Sequence, residues 1–404
     1  VVLAAAVAAV FPTAVSSSLA VSETFTVPPS GSFTVEMRGI GHGHGMSQYG
    51  AQGAARAGKT YPQILAFYYA GTTLTTLPAS WIRVGLSGFG ATTTVAAEAR
   101  LTVAGVSGEL PTSGVSRYRL VADSGSGLTL QQLKAAAGSR WTTYRSGLSN
   151  RTSFYRATYP IRLFTGDGAS YRYFGTLRAI RTAATGSAGG VYTVNRVSID
   201  HYTAGVVPRE MPTSWPAAAV NAQAVAARSY GRYAVEHPQS SEYDICDTSQ
   251  CQVYGGRAYV SASGVRQISE YAPAADNTAN QVLTYRGSTI FAQFGASDGG
   301  WTVYGGQPYL KATADPYDTA AIDPYITYTK VMRAAAVARY YHLATITKIE
   351  ITQRDGNGAW RGRVLAGYVN GIDSVHKAQR IATTGFGLED AFGVGTTWFR
   401  LLPS

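Results

Sequence analysis

Cysteine is nearly missing from this chain, with two in 404 residues. That excludes a fold held by a disulfide framework and leaves too few thiolates for a cysteine-rich zinc module. Charge is sparse as well, at 14% of residues. No block of like charges stands out, and the arginines are scattered singly, which argues against an arm that binds nucleic acid. No apolar run reaches the roughly 18 residues that a membrane-spanning helix requires. Val1–Phe11 is the nearest approach, and Pro12 breaks it.

Glycine (45 residues) and tyrosine (27) are abundant instead, with many Thr and Val. This balance predicts a strand-rich α+β protein with many turns rather than a helical bundle. The length allows two average domains or one large one. Net charge is 34 − 23 = +11. A diffuse positive field of this kind suits an anionic polymer such as bacterial wall glycan, and equally serves solubility. Residues 1–20 read as the remnant of a secretory signal, with Ser18-Leu19-Ala20 as a small-x-small cleavage site. The mature chain is then expected to be exported, with no membrane span.

Alternation predicts strands over Ser32–Met37, Ile82–Leu86, Thr93–Ala97, Arg100–Val103, Tyr192–Val197, Val282–Tyr285, Thr289–Phe294 and Lys348–Gln353. Helical composition covers Met46–Ala57 and Tyr61–Tyr69, each followed by a glycine stop. A short helix is also expected over Leu128–Ala136. Ser214 as N-cap and Pro216 near the first turn signal a long helix from about Trp215 to His237.

Ahead of that helix, Gly205–Pro212 reads as a proline-bracketed turn carrying one carboxyl group, Glu210, among Val206, Val207, Met211 and Trp215. Burial there raises a carboxyl pKa and keeps a proton available for general acid catalysis. The plainer reading places Glu210 near a helix N-terminus, where the macrodipole stabilises a carboxylate. Cys246 and Cys251 are close enough in sequence for a local disulfide; zinc with His237 as a third ligand is the other reading, and it lacks a fourth ligand.

Two stretches together carry a resemblance. Gly41–Ala51 reads GHGHGMSQYGA and Gly205–Arg228 reads GVVPREMPTSWPAAAVNAQAVAAR. Both resemble signatures of the stage II sporulation protein D / LytB (amidase enhancer) family. Cys251–Gly256, the loop Phe294–Thr302 (FGASDGGWT), Pro308–Leu310 and Gly395–Phe399 are similar to further elements of that family. The resemblance implies a secreted, wall-associated lytic transglycosylase. It would cleave the MurNAc–GlcNAc bond of peptide-stripped glycan strands with 1,6-anhydro-MurNAc formation and no cofactor. Glu210 maps onto the family's catalytic glutamate. The alternative that the resemblance carries is a non-catalytic wall-glycan-binding module that recruits or enhances an amidase. Some relatives hold zinc through a Cys/His site, which keeps the Cys246/Cys251/His237 reading open.

His42, Ser47, Gln48, Arg209, Gln252, Tyr254, Ser297 and Thr302 are the candidate substrate-binding residues. Asp298 is the one nearby candidate for a second carboxylate, with a turn role as its plainer reading. Within the GHG element, His-Gly-His offers two ligands and so makes no metal site by itself. Its glycines permit positive φ, and His42 can orient Glu210 or the substrate.

The chain departs from the family pattern at His44, where an apolar residue is usual. It departs again in order, since the GHG element comes first rather than near the C-terminus. Read as a circular permutation, this order places Ser32–Met37 beside the final strand near Trp398–Leu401 and brings His42, Ser297 and Gln252 to Glu210. The expected layout is a GHG element at 39–71, a strand-rich subdomain at 80–198, and a Glu/helix core with the C-terminal part at 199–404.

Overall fold

A computed structural model of the chain describes residues 18–136, 138, 140–182, 190–268 and 273–403. The chain forms two compact units: residues 1–72 with 293–404, and residues 73–292. The fold is α+β with a strand-rich core, as the composition predicts.

In the first unit, Ser32–Met37 lies between Tyr328–Arg333 and Phe399–Pro403, antiparallel to both, with Val35 opposite Lys330 and Leu401. The alternation read from sequence is obeyed: Phe33, Val35 and Met37 point into the core and their neighbours do not. Those three pack with Ile349, Val369, Leu388, Phe392 and Phe399. A second sheet runs Leu19–Thr26, Thr345–Arg354, Val364–Ile372, Ala378–Thr384. Leu19 and Ala20, expected at the end of a signal remnant, pair instead with Arg354 and Gln353; the rest of that assignment, up to residue 17, lies outside the described residues. Helix α1, Gln48–Arg56, starts where the Ser47 side chain accepts from the Gly50 N–H. Helix α2, Tyr61–Tyr68, opens with Thr60 as N-cap, Gln63 reaching back to the Thr60 N–H, and a proline in the first turn.

The second unit holds an eight-stranded and a six-stranded sheet. The expected short helix at Leu128–Ala136 is a strand, Leu128–Lys134, paired on one side with Val115–Ala122 and on the other with Trp141–Leu148. Leu128, Thr129 and Leu130 are all buried, so pairing to a strand on each side prevails over the leucine-rich composition. Arg100–Val103 shortens to Thr102–Val103. Thr289–Phe294 is not one strand: Ser288–Thr289 belongs to this unit, and Phe294–Gly295 pairs with Met46–Ser47 in the other.

Two helices stand at the centre of the second unit. Helix α3, Ile199–Glu210, replaces the expected turn, and it carries Pro208 inside it. Pro208 lies two residues from the end of α3, so the one intrahelical bond it removes is that of its own N–H to the Ala204 carbonyl. Helix α4, Ala217–Glu236, begins two residues later than read from sequence, with Pro216 rather than Ser214 at the N-cap. Alanines close α4 against its surroundings on most sides, and Gln223 and Arg228 are buried with them. Among the described residues, no helix is long and apolar enough to cross a membrane.

Candidate functional site

Glu210 is the last residue of α3, and its Oε1 accepts the Val253 N–H at 2.6 Å. It therefore sits at the negative end of a helix rather than ahead of a helix start, which removes the macrodipole stabilisation that the plainer reading supposed. Burial raises its pKa, with the Val253 hydrogen bond opposing. Arg209 is not among the groups acting on it. The arginine turns instead to the main chain of Gly255, where an added Cβ would lie 2.5 Å from Arg209 Nε. That Nε is buried and has no hydrogen-bond partner among the described residues.

Arg209 faces a cleft of about 240 Å³ lined also by Ser87, Tyr171, Tyr173, Asp247 and Tyr254. Val253, the residue that holds Glu210, lines the same cleft. The close approach of α3 to this wall depends on Gly205, since a Cβ there would stand 2.6 Å from a ring carbon of Tyr254. Asp247 accepts from the Ser87 hydroxyl at 2.8 Å, and burial raises its pKa. Nothing in the sequence singles out Asp247 or Tyr171 and Tyr173. Strand pairing brings the tyrosines here from a segment that reads only as alternating.

Gln252 and Tyr254, candidates for sugar contact, are buried and engaged internally. The Gln252 side-chain oxygen accepts from the Tyr202 hydroxyl at 2.7 Å, and the Tyr254 hydroxyl bonds Asn195 Oδ1 at 2.7 Å. Both side chains brace the Glu210 loop. Cys246 and Cys251 form a disulfide, which corrects the zinc reading: the sulfurs are joined to each other, and the Nδ1 of His237 lies 3.0 Å from the Tyr233 carbonyl oxygen.

His42, Ser47, Gln48, Ser297, Thr302 and Asp298 belong to the other unit. The structure therefore gathers Glu210, Arg209, Gln252 and Tyr254 in one unit and these six in the second. Gly41, Gly43 and Gly45 all take positive φ, and the turn they make lets the His44 N–H donate to His42 Nδ1 at 2.9 Å. Burial, then the neighbouring His42, brings His44 down to about 4. His42 is lowered by burial first and by Arg363 second. Ser47 Oγ bonds Asp318 at 3.0 Å. Ser297 Oγ lies 2.5 Å from Asp323 Oδ2 and 3.1 Å from Asp318 Oδ2. Thr302 Oγ1 donates to the Lys311 carbonyl at 2.8 Å. Gln48 is buried at the start of α1. Asp298 lies with Asp315 and Asp318, one oxygen of each within 4.8 Å of the others. Sequence reading missed Asp315 and Asp318, although two Asp-Pro-Tyr triplets, at Asp315 and Asp323, were there to be noticed.

Comparison with known proteins gives a family model, described as Stage II sporulation protein, that matches residues 187–285. That span contains α3, α4 and the Cys246–Gly256 loop. The chain is similar to an uncharacterised protein of Brachyspira hyodysenteriae, 36% identical over 169 residues, which are 40% of this chain and 42% of that protein. It is also similar to the amidase enhancer of Bacillus subtilis, 36% identical over 120 residues, 28% of this chain and 15% of the relative. A third relative, stage II sporulation protein D of Bacillus subtilis, is 31% identical over 159 residues, covering 35% of this chain and 45% of the relative. The matched stretches span less than half the length of each of these relatives.

Proposed function

We propose that this chain is an exported protein that binds bacterial wall glycan and assists an amidase. The observation that carries this reading is the likeness to an amidase enhancer, 36% identical over 120 residues. The cleft beside Glu210 supplies the chemistry such binding needs. Tyrosine faces can stack on sugar rings, and the Arg209 fork can hold a sugar carboxylate through two parallel hydrogen bonds. The net charge of +11 supports attraction to an acidic polymer. The placing of the GHG element ahead of the Glu210 segment is best read as a rearranged family order, which the pairing of Ser32–Met37 with Phe399–Pro403 supports.

Glu210 favours a second reading, lytic transglycosylation. A carboxyl group with a raised pKa can give its proton to the glycosidic oxygen as the bond to N-acetylmuramic acid breaks. The carboxylate left behind then takes the proton of that sugar's own 6-hydroxyl as the 1,6-anhydro ring closes. One group serves both steps, and no water enters. The Val253 N–H, already on Oε1, stabilises the carboxylate between the two.

The two readings separate in one assay. The chain is incubated with purified glycan strands, alone and with a wall amidase, and binding, amidase rate and products are measured by co-sedimentation and mass spectrometry. Binding with a faster amidase and no cleavage by the chain itself supports the first reading. Products ending in 1,6-anhydro-N-acetylmuramic acid, lost in Glu210→Gln, support the second. Absence of binding to the strands overturns both.

A further inference from the structure

We propose that Asp298, Asp315 and Asp318 form a calcium site within the unit built from residues 1–72 and 293–404. This inference is independent of the reading of Glu210. The three side chains come from two loops, at 298 and at 315–318, and are 1%, 4% and 3% exposed. Asp323, 1% exposed, adds a fourth buried carboxylate through the shared Ser297 hydroxyl. Carboxylates are not buried together without a cation or protons to offset them.

The hydrogen bonding divides the carboxylates of Asp298 and Asp318 in two. Asp298 Oδ1 accepts the Gly300 N–H at 2.7 Å, while Oδ2 is buried with no hydrogen-bond partner. Asp318 Oδ2 accepts from the Ser47 hydroxyl at 3.0 Å and the Asp298 N–H at 3.1 Å, while Oδ1 is buried with none. Asp315 is held by the Tyr68 hydroxyl at 2.5 Å and the Tyr317 N–H at 2.8 Å. Among the described residues, Asp298 and Asp318 thus each keep one bare oxygen, while both oxygens of Asp315 are already held. A bare buried carboxylate oxygen is a costly feature that a bound cation would satisfy.

The nearby guanidinium groups spend their hydrogen bonds elsewhere. Arg38 donates to the Gly299 carbonyl, and Arg363 to Thr396 and to the main-chain oxygen of Asp298. Arg363 also faces Asp355 and Glu389, and Arg38 also faces Glu36, so neither guanidinium is reserved for the buried aspartates. One ligand oxygen from each of Asp298, Asp315 and Asp318 lies within 4.8 Å of the others, a spacing that an ion with metal–oxygen distances of about 2.3–2.6 Å can bridge. Calcium fits better than magnesium because the site is closed to solvent, and magnesium gives up its waters reluctantly.

The test uses the full chain, stripped with EDTA and dialysed, then melted with calcium, with magnesium and with neither. Calcium should raise the melting temperature by several degrees, and magnesium by much less. Terbium should bind in its place and emit on tyrosine excitation, since the Tyr68 hydroxyl rests on Asp315, and calcium should displace it. Asp298→Asn keeps the oxygen that meets Gly300 but weakens the ligand set, so the calcium-dependent rise should disappear. Asp318→Asn serves as a second variant should the first fail to fold. An unchanged melting temperature for the wild type with calcium, together with no calcium found by elemental analysis, overturns the site and leaves protons shared among the carboxylates as the neutralising charge.

Discussion

The main-chain N–H of Val253 donates to Oε1 of Glu210 across 2.6 Å, tying the end of one helix to the loop that follows the Cys246–Cys251 disulfide. The carboxyl is thereby positioned by backbone, which a side-chain substitution at 253 leaves in place.

Burial nevertheless raises the pKa of Glu210. The folded chain then holds this proton more tightly than the unfolded chain. Its contribution to stability is full below the ordinary carboxylate pKa and is lost as pH rises through the raised value. Glu210→Gln keeps an oxygen acceptor for Val253 and never ionises. Relative to wild type it should gain stability between about pH 4 and neutrality, read as the difference in thermal melts. A constant difference across that range would contradict the raised pKa.

His44 behaves in the opposite sense. Its pKa falls from 6.5 to about 4 on folding, through burial first. Its neutral form contributes stability above 6.5, and that contribution is lost as pH falls toward 4. His44→Asn should therefore flatten the acid side of the stability curve over that window. Proton NMR of the imidazole should show no titration near 6.5 at this position.

Arg228 is wholly buried in α4, and its guanidinium donates to Asp200 at 2.7 Å and to the Ala275 carbonyl at 2.8 Å. Arg228→Ala strands these acceptors. Breaking a buried pair from one side costs about 3–5 kcal/mol. Because Asp200 is partly exposed and can regain water, the lower end, about 3 kcal/mol, is expected by urea denaturation. Asp200→Asn should cost less, since the amide oxygen still accepts.

Gly205→Ala places a methyl 2.6 Å from the Tyr254 ring. Overpacking of this kind costs about 1–3 kcal/mol. It should also push Tyr254 toward the cleft, so the proposed glycan binding should weaken more than for an alanine placed at exposed Ser214.

Much of the fold was legible because amphipathic alternation marks strands such as Ser32–Met37, and because caps mark helices such as Tyr61–Tyr68. The helix that carries Glu210 was hidden by its own residues: Gly205 and Pro208 are breakers in isolation, and only packing against Tyr254 explains why the first is glycine. Leu128–Lys134 misled because leucine and glutamine favour helices, while two neighbouring strands outweigh that preference. The family motif gave Glu210. The tyrosines of the cleft and the grouping of Asp298 with Asp315 and Asp318 depend on contacts between segments that carry no local signal of meeting.

The unit of residues 73–292 is joined at both of its ends, since Thr73–Thr76 pairs with Gln281–Tyr285, and Thr73 faces Thr284. This seam bears on the order of events during synthesis. A segment of some two hundred residues would ordinarily impose a long loop to be closed before the flanking chain could assemble. Here the ends of the segment pair with each other, so this unit should be able to fold before the chain beyond residue 292 is made. Ser32–Met37, made early, must wait for Phe399–Pro403, made last, to gain its second neighbour. Slow maturation should therefore reside in the interrupted unit, and a nascent chain truncated before 399 should protect residues 73–292 from protease while leaving Ser32–Met37 cleavable.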